Sequence, residues 1–118
     1  MPDSRPIAPD LIAVVQELLD KEIAPRVPAL QQYQLKIVAK LLDTVRRELE
    51  AGPAANDREV LRLRALLKRD GAMNDLNAEL ARRIREGEVA VDDTALLGHL
   101  RQSIEDSLRI NNPKWLNP

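Results

Sequence analysis

Residues 29–51, ALQQYQLKIVAKLLDTVRRELEA, followed by Gly52-Pro53, decide the fold class of this chain of 118 residues. Apolar side chains recur every three or four residues through the stretch, which is the spacing of one face of an α-helix. Gly52-Pro53 predicts the end of that helix, because glycine adopts the left-handed cap and proline cannot continue the hydrogen-bond ladder. The apolar stripe predicted for this helix comprises Leu30, Tyr33, Ile37, Val38, Leu41, Leu42, Val45 and Leu49.

The same spacing predicts one helix before this stretch. It begins at Pro9, since a proline in the first turn gives up an N–H that would have no partner there. It closes near Ala24, because Pro25 disfavours helical backbone in the residue before it. Its apolar side comprises Leu11, Val14, Val15, Leu18 and Leu19.

Three more helices are predicted after Gly52-Pro53. The third runs from an Asn56 cap to Gly71, and the fourth from an Asn74 cap to Gly87. Their buried faces comprise Val60, Leu63, Leu66 and Leu67, and then Leu76, Leu80 and Ile84, with Met73 as a staple. The fifth begins at Asp92 or Asp93 and stops at 111–113. Its predicted apolar face comprises Leu96, Leu97, Leu100, Ile104 and Leu108.

Composition agrees with a helical fold. Hydrophobic residues make up 44%, yet the chain has no Phe, one Trp and one Tyr, so its core is aliphatic. Short Gly, Pro and Asn turns between five amphipathic segments are typical of an antiparallel bundle. We therefore predict an all-α, single-domain antiparallel bundle of about five helices over 1–118, with 1–8 as a flexible lead-in and 112–118 as a tail.

Charge and cysteine content narrow the class of protein. The chain has no cysteine, which fits a reducing cytoplasm, and its net charge is −1. We expect a cytoplasmic protein without a signal peptide or membrane span, since no apolar run approaches the required length of about 18 residues. Segment 26–71 carries ten basic and six acidic side chains, so a nucleic-acid interface there is one hypothesis, although few aromatics are present for base stacking.

Catalytic and metal motifs are missing from the sequence. The single histidine, His99, has no acidic residue three or four positions away, so we interpret it as a surface or interface residue. Serines lack a nucleophile elbow, and glycines are too far apart for a phosphate loop. We expect no catalytic residue, no metal site and no cofactor, and hence a protein that is not an enzyme.

Four polar residues are candidates for a small-ligand pocket between helices. Asn77 lies beside the apolar stripe of the fourth helix, and a half-buried amide requires hydrogen-bond partners. Arg101 follows Leu100 at the edge of the fifth helix, close to His99. Together with Arg47, these side chains would suit an acyl or phosphorylated metabolite.

The tail offers a candidate protein interface. Asn112, Lys114 and Trp115 belong to an Asn-Pro turn that presents an aromatic side chain, and Trp is a frequent interface anchor. The alternative is a tail that folds back over the end of the bundle. We favour that alternative, since a lone Trp is usually buried against its own domain.

The chain also resembles a family of short bacterial all-helical proteins of unknown function. Members commonly have Asn where Lys40 stands and Tyr where Trp115 stands. Genes of this family often lie beside those of aminoglycoside-phosphotransferase-like kinases and acyl-CoA dehydrogenases. The matching stretches are PDLIAVVQELLDKEIAP (9–25), IVAKLLDTVRREL (37–49), LNAELARRIREGE (76–88) and HLRQSIEDSLRINNPKWL (99–116).

The resemblance implies an accessory or protein-interaction module that binds a phosphotransferase-like kinase, an acyl-CoA dehydrogenase or a second copy of itself. The residues keep two other classes open, a binder of a small acyl or phosphorylated ligand and a nucleic-acid binder. The interaction module is favoured, and it predicts an exposed apolar surface on the folded chain.

Overall fold

The computed structural model describes residues 7–116, and this part of the chain contains helices and no strand. The prediction of an all-α protein is confirmed. The α-helices are α1 (Ala8–Leu18), α2 (Ala29–Leu67), α3 (Met73–Arg85) and α4 (Thr94–Asn111). A π-helical turn and a 3-10 turn follow α1 directly, and a 3-10 turn follows α4. None of them is long and apolar enough to cross a membrane.

The predicted break at Gly52-Pro53 is wrong, because α2 continues through it from Ala29 to Leu67. Asn56 therefore lies inside a helix and caps nothing. Proline holds φ near its helical value and removes one hydrogen bond, at a cost of about 3 kcal/mol. The usual clash between a proline ring and the Cβ of the preceding residue is avoided here, since Gly52 has no Cβ. Within residues 7–116 this single correction leaves four α-helices rather than five.

The described part of the chain divides into two compact units, the first ending at Gly52 and the second beginning at Pro53. In the first unit, α1 begins at Ala8, and Pro9 lies in its first turn as predicted. Of the predicted flexible lead-in, residues 1–6 lie outside the described residues. The chain stays helical past Leu18, as a π turn at Leu19–Ile23 and a 3-10 turn at Ala24–Arg26.

Hydrogen bonds of the half-buried Gln16 side chain join α1 to α2 in the first unit. Gln16 Nε2 donates to the Ala39 carbonyl at 3.2 Å and to Asp43 Oδ1 at 2.8 Å. Arg46 Nη1 donates back to Gln16 Oε1 at 3.1 Å. Every hydrogen-bonding group of the Gln16 amide is thus engaged between the two helices. The pairing leaves Val38 and Leu42 half-buried, whereas most of the predicted stripe on α2 is exposed.

The core of the second unit is a cluster of leucines from three helices. The faces predicted for the second half of α2 and for α3 are confirmed, since their leucines meet in this cluster and Val60, Leu66, Met73 and Ile84 pack around it. Arg83 of α3 donates from Nη1 to the Leu67 carbonyl at 3.1 Å, which satisfies an otherwise unpaired group at the end of α2. The cluster comprises Leu63, Leu67, Leu76, Leu80 and Leu96.

Helix ends in the second unit differ from prediction at two places. The second half of α2 ends at Leu67 rather than near Gly71, and Lys68 has a positive φ of 54°. Helix α3 begins at Met73 with Ala72 as its N-cap, so Asn74 is not a cap. Two ends are as predicted: Gly87, at φ 75°, follows α3, and Asp93 Oδ1 caps α4 by accepting from the Leu96 N–H at 2.9 Å.

The apolar face predicted for α4 is wrong for most of its length. Leu96 is buried, but Leu97, Leu100 and Ile104 are exposed. The helix instead turns a polar stripe inward, in which His99 and Asp106 are buried. The physical reason is that arginines of α2 lie against this side of α4. They form hydrogen bonds with its polar side chains, which replace the hydrogen bonds to water that burial removes.

Candidate functional site

The residues predicted to form a ligand pocket are divided between the two units. Arg47 belongs to the first unit, where its Nη2 donates to Thr44 Oγ1 at 3.2 Å. Asn77 on α3 is half-buried, and Arg101 on α4 is exposed. His99 lies only two residues before Arg101 yet is buried, because two residues correspond to more than half a turn of helix. Among the described residues of the second unit, no hydrogen bond joins any two of the Asn77, His99 and Arg101 side chains.

Residues of the tail lie in and beside a 3-10 turn at Pro113–Trp115. Asn112 is half-buried and Lys114 is exposed. The Trp115 side chain is 71% exposed, so the expectation that the tail buries this residue against its own domain is wrong. The described tail therefore presents an aromatic group to its surroundings.

The expected surface position of His99 is also wrong, since only 5% of the residue is exposed. Its Nδ1 accepts from Arg62 Nε–H at 3.1 Å, and Arg62 Nη2 donates to Ser103 Oγ at 3.1 Å. An accepting Nδ1 leaves the ring proton on Nε2, so the imidazole is neutral. Burial first, and then the neighbouring Arg62 charge, lower the pKa of His99, while Glu59 opposes them.

Two helical turns beyond His99 on α4, the buried Asp106 carboxylate accepts hydrogen bonds from three side chains. Asp106 Oδ1 accepts from Arg58 Nη2 at 3.4 Å, from Gln102 Nε2 at 3.1 Å and from Arg109 Nη1 at 3.1 Å. Its other oxygen, Oδ2, is buried and has no hydrogen-bond partner within the described part of the chain. We call the contact between Arg58 and Arg62 of α2 and His99, Ser103 and Asp106 of α4 the polar seam.

The polar seam joins α2 to α4 through side-chain hydrogen bonds. The His99 imidazole accepts from an arginine, and within the described residues no carboxylate forms a hydrogen bond with it. No three His, Asp or Glu side chains within residues 7–116 are grouped so that they could hold a metal ion. Sequence reasoning missed the seam, although a usable signal was present: 58 and 62 on one helix, and 99, 103 and 106 on another, each form a polar stripe at helical spacing.

The polar seam includes two arginines of the basic segment 26–71. Arg58 and Arg62 both contact α4, and Arg69 Nη1 donates to Glu79 Oε2 at 3.3 Å. Three of the arginines that suggested a nucleic-acid interface therefore have partners within the second unit.

The first unit carries an exposed apolar surface. Along α2, large apolar side chains four residues apart are all exposed, which places them in one row on the helix. We call this row the apolar ridge; it consists of Tyr33, Ile37, Leu41, Val45 and Leu49. On α1, Leu11, Val14, Val15 and Leu18 are exposed as well. Single exposed leucines are ordinary in proteins, whereas a row of five on one helix makes this face a candidate interaction surface.

A cavity of about 300 Å³ lies within the first unit, between the π turn and the first half of α2. Its walls are largely aliphatic, with Leu19, Leu35 and Leu42 among them. Lys36 and Asp20 supply one charge of each sign. The cavity contains none of the residues predicted for a ligand pocket. A π turn widens the helix locally and is frequent at functional sites, which makes this cavity the better candidate for a small ligand.

Fold and surfaces together define a small all-α protein with an aliphatic core in one unit and an exposed apolar surface on the other. The chain belongs to the family described as "Domain of unknown function (DUF6285)", whose pattern matches residues 25–115. Neither the curated proteins nor the solved structures contain a match to this chain.

Proposed function

We propose that this chain is a helical protein-interaction module and that its binding surface is the apolar surface of the first unit. The apolar ridge is the single observation that carries the proposal. Five large apolar side chains in one row would each leave water on binding, and burial of apolar area is the main driving force of protein association. The exposed Trp115 of the tail provides a second contact point.

The partner class in this proposal comes from the resemblance described above. Family members encoded beside aminoglycoside-phosphotransferase-like kinases and acyl-CoA dehydrogenases suggest an accessory subunit of one of these enzymes in the bacterial cytoplasm. In this proposal the chain acts without catalysing a reaction itself. A single domain over 1–118 that forms an antiparallel bundle stays our prediction for the arrangement of the chain.

The test is a pull-down from cell extract with matched variants. Leu41→Glu introduces a charge at the centre of the ridge, where the leucine is 62% exposed. Leu61→Glu is the control, because Leu61 lies on the same helix outside the ridge and is 63% exposed. We expect the wild type and Leu61→Glu to retain a protein partner that Leu41→Glu loses. Equal recovery of that partner by both variants would contradict the proposal.

A second candidate function, binding of a small acyl or phosphorylated metabolite, is favoured by the cavity of the first unit. Lys36 lines the cavity, and within the described residues its ammonium group forms no ion pair, so it is available for an anionic head group. The aliphatic walls suit a short hydrocarbon chain.

Thermal unfolding in the presence of short fatty acids, acyl-CoAs and phosphorylated metabolites tests this second candidate, since a ligand that binds the folded state raises Tm. Lys36→Gln should lose the shift, whereas Lys40→Gln, one turn further along and outside the cavity lining, should keep it. Identical shifts in the two variants would place the ligand elsewhere. The nucleic-acid hypothesis has less support, because Arg58, Arg62 and Arg69 are engaged within the second unit.

A further inference from the structure

We propose that the cavity of the first unit binds a small aliphatic zwitterion, a molecule with one carboxylate, one ammonium group and a short hydrocarbon chain. Lys36 binds the carboxylate, and Asp20 binds the ammonium group. This inference rests on the second candidate function, because it uses the same cavity. It narrows the acyl ligand to one that also carries a positive charge.

The aliphatic walls of the cavity are only partly covered by the chain itself. Leu19 of the π turn and Leu35 and Leu42 of α2 are half-buried, whereas every described leucine that is buried lies in the second unit. A hydrocarbon chain in the cavity removes more of these three side chains from water, which favours binding. The volume of about 300 Å³ equals that of roughly ten water molecules at about 30 Å³ each, so it suits a ligand of about ten non-hydrogen atoms.

Two opposite charges line the cavity without a partner in the described part of the chain. Asp20 lies on the π turn and Lys36 on α2, and within residues 7–116 neither side chain forms an ion pair or a hydrogen bond. Lys21, the neighbour of Asp20 in sequence, is bonded to Glu17 at 2.7 Å instead. Both charges are therefore available to a ligand.

The amide side chains at the cavity are already engaged. Gln16 uses both of its amide groups between α1 and α2, and Gln32 Nε2 donates to the Val27 carbonyl at 3.2 Å. Recognition of a polar group thus depends on Asp20 and Lys36. Because their charges cancel, a ligand of zero net charge complements the cavity, whereas Asp20 repels a doubly charged phosphate.

Four compounds with the same six-carbon chain separate the contributions of the two charges. Norleucine and 6-aminohexanoate carry both charges, at one end and at opposite ends respectively, whereas hexanoate lacks the ammonium group and hexylamine lacks the carboxylate. We expect at least one of the two zwitterions to raise the Tm of the purified chain at lower concentration than hexanoate and hexylamine do. Which zwitterion is the more effective reports the spacing of the two charges.

Matched variants assign the binding to the cavity. Asp20→Asn and Lys36→Gln should each weaken binding of the zwitterion about three- to fivefold in calorimetric titrations at low salt, which is the effect of one exposed charge pair. Glu22→Gln and Lys40→Gln are the controls, because both residues are exposed and lie outside the cavity lining, and they should leave the affinity unchanged.

Three results would overturn the inference: neither zwitterion binds, all four variants bind it equally, or hexanoate binds as tightly as the zwitterions and Asp20→Asn does not weaken it. The last result leaves the second candidate function intact, as an acyl site with a single charge. That candidate fails separately, when no acyl or phosphorylated compound shifts Tm.

Discussion

Removing Arg62 should destabilise the second unit through the polar seam. In Arg62→Ala, the buried His99 Nδ1 and the half-buried Ser103 Oγ lose their donor. An unsatisfied buried acceptor costs about 1–3 kcal/mol, and an ordinary hydrogen bond contributes about 0.5–1.5 kcal/mol. We therefore expect the free energy of unfolding to fall by about 2–4 kcal/mol at pH 7, since His99 is the more buried of the two.

Urea unfolding followed by far-UV circular dichroism measures this change, with all variants at one protein concentration so that association affects them equally. Arg101→Ala is the matched control, because Arg101 is an exposed arginine close to the seam that takes no part in it, and it should change stability by less than about 0.5 kcal/mol. The NMR titration of His99 gives a second readout. Its pKa should rise in Arg62→Ala, because the Arg62 charge lowers it in the wild type. An Arg62→Ala variant as stable as Arg101→Ala, with an unchanged His99 titration, would refute the seam.

Three further predictions follow from the second unit. The lowered pKa of His99 means that the unfolded chain binds a proton more tightly than the folded one, so stability should fall as pH drops from 7.5 through about 6.5, the ordinary His pKa. In His99→Gln, the free energy of unfolding should no longer fall over this pH range. A fall as large as in the wild type would assign the pH dependence to other groups. Glu79 is not one of them, because its pKa of about 2 lies far below this range. Asp93→Ala should cost about 0.5–2 kcal/mol in urea unfolding through loss of the α4 cap, whereas Asp92→Ala should not. Leu63→Ala should cost about 2.7–5 kcal/mol, because this leucine is 0% exposed, and a loss no larger than that of the exposed Leu61→Ala would contradict the core assignment.

The two units differ in which side chains they bury and which they leave exposed. The second unit buries a leucine cluster and satisfies its inward polar groups through the seam. The first unit uses Gln16 to join two helices and leaves the ridge exposed. We propose the interaction surface on the first unit, because the ridge is a row of five exposed apolar side chains on one helix.

Most helices of this protein are local consequences of the sequence. Apolar spacing places Leu63, Leu76 and Leu80 on buried faces, and Asp93 and Gly87 mark helix ends through their own backbone and side-chain chemistry. Such features depend on residues within one or two turns, so periodicity and capping preferences predict them correctly.

Other features depend on which residues of a different helix pack against a given helix face. Proline at position 53 indicates a break by itself, yet it is tolerated in α2 because Gly52 removes a clash and helix continues on both sides. The apolar spacing of α4 predicts Leu100 as an inward residue, yet His99 is the buried one, because Arg62 on another helix supplies a partner for the imidazole. The sequence by itself determined the helical class and the leucine core. Only the tertiary structure decided which side of α4 is buried and that the apolar ridge is exposed, because burial is set by contacts between residues far apart in the chain.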